Sequence, residues 1–207
     1  MKKSILVASF AAVSLSASLA HADGIGVNVG LRTGYAIALG DASENAPMSD
    51  LIKGAIPLHL DATYRITPTI NAGLYFGYGL GMKGDKAVDG IDSINTMSYG
   101  LQANMLFPSE DIAGWAGVFA GLENVKTSGT TNDLSVTSTT KGWQAGLQGG
   151  ADWKVAPGFT AGPFASLAFG KYGSIDAEAG DISLSGDIEK TAMHQWLTLG
   201  VRGSYGL

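Results

Sequence analysis

The chain has 207 residues, 13 of them Lys or Arg and 18 Asp or Glu, giving a formal net charge of −5, and it contains no cysteine. That rules out a disulfide framework and a lipid-anchoring cysteine. An acidic chain with three arginines also argues against nucleic acid as a partner. Its 30 glycines are about twice the ordinary share, and they fall mainly inside alternating apolar runs rather than in turns.

Residues 1–22 read as a secretory signal. Lys2 and Lys3 supply the charged region, Ile5–Leu19 the apolar one, and Ala20-His21-Ala22 the small-x-small cleavage site before Asp23. An uncleaved anchor is the rival reading. It is disfavoured because the run is short for a ~20-residue spanning helix and is interrupted by serines. No later stretch is apolar for the roughly 18 residues a spanning helix needs, but membrane-spanning strands leave only a weak, alternating trace.

That trace begins at Gly24–Leu39. Its odd positions run Ile25, Val27, Val29, Leu31, Thr33, Tyr35, Ile37 and Leu39, while its even positions are glycine, alanine, Asn28 and Arg32. Successive strand side chains point to opposite faces, so one face is apolar and the other is tiny or polar. Seven further segments repeat the pattern: Ile56–Ile66, Thr69–Gly81, Asn95–Phe107, Gly114–Val125, Lys141–Val155, Phe159–Tyr172 and Ala192–Leu207. In Gly114–Val125 both faces carry bulky residues. Placing Trp115, Phe119 and Glu123 inward is preferred, and the opposite phase stays open.

The connections alternate in length. Gly40–Ala55, Met82–Ile94, Lys126–Thr140 and Gly173–Thr191 are long and polar; Thr67-Pro68, Pro108–Ala113 and Ala156–Gly158 are short. Long loops on one rim and tight turns on the other fit an all-β, eight-stranded, antiparallel up-and-down transmembrane β-barrel over residues 23–207. Outward aromatics would form two girdles. Tyr64, Phe107, Trp153 and Tyr205 lie toward the turns, and Tyr35, Phe76, Tyr78, Tyr99, Trp143 and Phe169 toward the loops. The first segment's sixteen residues, at about 3.3 Å each and tilted near 40°, rise roughly 40 Å, more than the ~25 Å apolar band. The surplus is expected above the membrane on the loop side. A soluble lipocalin-type barrel would instead turn its large apolar groups inward.

On this pattern the chain resembles the small outer-membrane β-barrel families of Gram-negative bacteria, of the OmpA-type membrane domain. The most specific piece is Thr198-Leu199-Gly200-Val201-Arg202-Gly203-Ser204-Tyr205. It is similar to the C-terminal barrel-assembly signal, departing from it at Gly203 and in ending on Leu207 rather than phenylalanine. The resemblance implies residence in the outer membrane, with its lipid and the barrel-assembly machinery as partners.

The inward charges Arg32, Asp61, Arg65, Glu123, Asp152 and Arg202, with His59 beside them in pattern, are read first as a structural polar plug. An eight-stranded lumen is only about wide enough for side chains, so charges in it must pair. A narrow conduit for water or small ions is the alternative. His59 and Asp61 at i, i+2 invite a catalytic reading, but no nucleophile is placed beside them. Trp115, Phe119, Phe164 and Trp196 would fill the lumen beside glycines or line a small apolar pocket. Asp176, Glu178, Asp181, Asp187 and Glu189 lack calcium-loop spacing and read as a solvated acidic loop. The expectation is a non-enzymatic envelope protein with no catalytic, cofactor or metal site. It would act structurally or through its long loops on an unidentified extracellular ligand.

Overall fold

A strand whose alternate residues are apolar needs two different environments, one on each side, and a closed sheet supplies them without leaving an edge. The computed structural model describes residues 26–44, 46–87, 90–131 and 134–207. The expected signal and its cleavage site lie outside these residues. Ten strands and one short helix follow in order: β1 (Val27–Ser43), β2 (Ala46–Pro47), α1 (Met48–Leu51), β3 (Ile52–Thr67), β4 (Ile70–Lys83), β5 (Ile91–Phe107), β6 (Ile112–Thr131), β7 (Leu134–Ala156), β8 (Phe159–Ala179), β9 (Ile182–Asp187) and β10 (Met193–Gly206). Eight of them pair antiparallel in a ring, β1-β3-β4-β5-β6-β7-β8-β10, and β10 closes on β1 from Asn28↔Gly206 to Gly40↔His194.

The phase is the expected one. Leu31, Leu60, Leu101, Leu147 and Leu199 are exposed on the outer wall, while Arg32, Asp61, Gln102, Gln148 and Thr198 are buried in the lumen. The alternative phase of Gly114–Val125 is not adopted: Trp115 and Glu123 are each 3 % exposed, whereas Val118 is 54 % exposed. All ten aromatics of the two expected girdles are exposed on the outer wall.

The long polar loops require correction, because much of each is strand. β6 and β7 stay paired up to Thr131↔Leu134. β8 runs on to Ala179, and β9 folds back along it through a two-residue turn at Gly180-Asp181, where Gly180 has φ 59°. In these stretches water reaches both sides, so the apolar contrast that marks a strand fades while Val, Thr and Ile keep their preference for extended backbone.

β8 also carries a bulge. Lys141 pairs with Ser174 but Gly142 pairs with Tyr172, leaving Gly173 without a partner on β7. One extra residue reverses which side chains face the lumen beyond it. The Gly173 carbonyl accepts a bond from the Ile188 N–H, 2.9 Å. Elsewhere, pairing of β1 with β3 lapses between Thr33↔Leu58 and Ala36↔Ala55, beside Pro57, which has no N–H to give. There the Thr33 hydroxyl donates to the Pro57 carbonyl, 2.9 Å.

Candidate functional site

From the turn rim upward, the lumen first opens as a vestibule of about 910 Å³ bordered by Arg65, Arg202, Asp152 and Asn71. Arg202 pairs with Asp152 at 2.8 Å and lies over the Trp115 ring, 4.0 Å from its centroid. Arg65 makes no ion pair among the described residues.

A buried polar network ends the vestibule. Arg32 Nε and Asp61 Oδ2 are 2.7 Å apart, and Arg32 also donates to Asp61 Oδ1 at 2.8 Å and to Gln148 Oε1 at 2.7 Å. Gln102 donates to Asp61 at 2.8 Å. Gln148 donates to Gln102 at 2.9 Å and to Asn104 at 2.7 Å, and Asn104 donates to Asn71 at 2.9 Å. Side chains from β1, β3, β4, β5 and β7 thus meet across the lumen. Arg32 reaches both oxygens of Asp61, the arrangement in which buried charge is tolerated, although its Nε lies outside hydrogen-bonding geometry.

An aromatic layer lies above the network. The Phe164 ring faces the Arg32 guanidinium, whose carbon lies 5.5 Å from the ring centroid. Tyr75 stacks on His59 and meets Phe119 edge-on. Glycines make room for these rings: a Cβ on Gly146 would stand 2.6 Å from Phe119, and one on Gly200 2.8 Å from Phe164. His59 and Asp61 form no hydrogen bond with each other, and Asp61 is committed to Arg32 and Gln102. The arrangement expected of an Asp-oriented His is not assembled.

Glu123 anchors a second buried cluster, remote in sequence from its partners. It accepts from Trp196 Nε1 at 2.7 Å, lies 2.9 Å from His194 Nε2, and accepts from the Tyr172 hydroxyl at 3.3 Å. Tyr172 and His194 stack at 4.1 Å between centroids. Met48 of α1, Ile52, Ile94 and Val125 close over this cluster as a buried apolar cap. The seven charged and titratable residues read as one plug therefore occupy separate levels: Arg65, Arg202 and Asp152 at the vestibule, Arg32 and Asp61 in the central network, His59 in the aromatic layer and Glu123 beneath the cap. Met48, Ile52 and Ile94 fall in connections that the sequence marks as loop and Val125 ends an expected strand, so no local pattern joins the four.

Beyond the cap, β6–β9 rise as a sheet. The carboxylate of Asp176 is held by Lys141 and by the Ser185 hydroxyl, 2.7 Å. These bonds lower its pKa below the usual aspartate value, while Asp176 raises that of Lys141. Of the acids expected to form one loop, Asp176, Glu178 and Asp187 lie on strands, Asp181 in the hairpin turn and Glu189 past β9. Among the described residues no cluster of His, Cys, Asp or Glu has metal-binding geometry.

An eight-stranded closed ring with an apolar outer wall and a polar, filled lumen is a transmembrane β-barrel of the outer-membrane type. Solved structures of that fold resemble it. Neisserial surface protein A superposes with a TM-score of 0.55 at 16 % identity, covering 86 % of this chain and 96 % of that one. A major outer membrane protein from Thermus thermophilus gives 0.54 at 11 %, covering 88 % and 99 %. The outer membrane protein AlkL gives 0.51 at 14 %, covering 92 % and 95 %. No protein-family model matches the chain, and no curated protein matches it by sequence.

Proposed function

We propose that the protein is a non-enzymatic outer-membrane barrel, exported through a cleaved signal, that meets an extracellular partner through the β6–β9 sheet. One observation carries this reading. The lumen is crossed by the Arg32–Asp61–Gln148 network, whereas the strands continue past the cap into exposed, two-sided sheet. Outer-membrane lipid surrounds the wall, and the barrel-assembly machinery inserts it.

The cysteine-free sequence permits a direct test. Ser135→Cys, near the β6–β7 tip, should react on intact cells with a polyethylene-glycol maleimide too large for porins. Ser109→Cys, in a short turn, should react only after the outer membrane is breached. Labelling in the reverse order overturns the reading. The narrow-conduit alternative is favoured by the solvated vestibule. It requires a steady planar-bilayer conductance that rises in Arg32→Ala, and an electrically silent barrel removes it.

A further inference from the structure

The unpaired side of β9 is unlike any other strand edge in the described residues. All six residues Ile182–Asp187 are exposed, and β9 pairs with β8 alone. Its hydrogen-bonding phase follows from its neighbour. The Ile188 N–H bonds to the Gly173 carbonyl, and Ile188 and Gly173 continue the β8–β9 register. Bonded and non-bonded pairs alternate along an antiparallel ladder, so Ile182, Leu184 and Gly186 spend their backbone groups on β8. Ser183, Ser185 and Asp187 aim theirs at the open side.

Paired residues share a face. Val136, Ala179 and Ile182 form one row and Ser138, Ala177 and Leu184 the next, on the lumen side of the wall. Ile182 is 64 % and Leu184 67 % exposed. The opposite face carries Asp176 and Glu178 on β8 and Asp187 on β9, whereas its cations, Lys141 and Lys126, lie on β7 and β6, so the side of the sheet nearest the free edge is acidic.

We infer that the free edge of β9 takes an extended segment of a partner polypeptide as one more antiparallel strand, with apolar residues alternating with Lys or Arg. The edge supplies backbone donors and acceptors, which give affinity. The apolar rows receive every second side chain, and the acids receive the long cationic ones between. This names the partner of the sheet in the function proposed above and rests on that reading.

The test uses the purified full chain in nanodiscs and a fluorescent peptide of alternating lysine and valine. The peptide should bind about tenfold or more tighter than the same residues arranged in blocks, and tighter than an alternating glutamate–valine peptide. Ser183→Pro removes an edge N–H while leaving the β8 ladder intact, and it should abolish binding with unchanged heat-modifiable gel mobility. N-methylating one edge of the peptide should do the same with the protein untouched. Binding that survives both changes, or a preference for the glutamate peptide, overturns the inference even where Ser135→Cys labels from outside. Self-association lost in Ser183→Pro would make the occupant a second copy and overturn the stated one.

Discussion

The same two-residue period runs the length of β7 and β8, yet its polarity is opposite in the two halves of the molecule. Within the barrel, Trp143, Leu147 and Phe169 face out while Gln144, Gln148 and Tyr172 face in. Above the cap, Ile175, Ile182 and Leu184 lie on the lumen side, and Asp176, Glu178, Ser183 and Ser185 lie outside. The outer environment sets the sign. Hydrocarbon admits no unpaired charge, whereas water on both sides lifts that constraint and lets the charged row face out. On β8 the reversal is achieved by the unpaired Gly173.

Breaking the barrel half should have the largest effect. Arg32→Ala or Asp61→Ala strands a buried charge and should cost about 3–5 kcal/mol. Unfolding in detergent, followed by heat-modifiable mobility, reads this. Arg32→Met combined with Asp61→Leu should cost less than either single change, and equal losses would mean that the pair is not the source. Next, Glu123→Gln sets an amide donor against the donors of His194, Trp196 and Tyr172 and should cost about 1–3 kcal/mol.

The reversal itself can be sharpened by deleting Gly173. The barrel should keep its stability within about 0.5 kcal/mol, while proteases cut the β8–β9 hairpin faster because its apolar row has been turned out. A hairpin as resistant as before would show that the bulge does not set its phase. Smallest is Lys141→Ala. The pair is solvent-exposed, and salt should erase its effect. Its pH window follows from the shifts: Asp176 is lowered when folded, so its contribution is present above the unfolded aspartate pKa and lost as pH falls through the folded one. Lys141 is raised, so its contribution is lost as pH rises through its folded value. A titration of hairpin protease resistance should follow that window, and a flat profile would contradict it.

The barrel was legible because lipid enforces contrast between adjacent residues, and Gly24–Leu39 shows it in almost every pair. Inward charge was legible for the same reason, but its pairing was not. Glu123 meets His194 and Trp196 from 71 and 73 residues away, and period two orders residues along a strand without ranking them across a lumen. The upper part of the β6–β9 sheet looks like loop in the sequence because its alternation is shallow. Ile182-Ser183-Leu184-Ser185 and Ile175-Asp176-Ala177-Glu178 do alternate, a signal hidden by their acidity and by the glycines at 173, 180 and 186.

The rings seated on Gly146 and Gly200 carry a consequence for how this sequence can drift. A methyl at either site collides with Phe119 or Phe164 and, closer still, with a backbone carbonyl oxygen, that of Leu167 beside Gly146 and that of Thr33 beside Gly200. Descendants of this chain should therefore keep glycine at both sites even where the ring opposite shrinks, because the backbone of the neighbouring strand leaves no room for a methyl. Unchanging glycine at 146 and 200 beside variable residues at 119 and 164 would be the fossil record of that constraint.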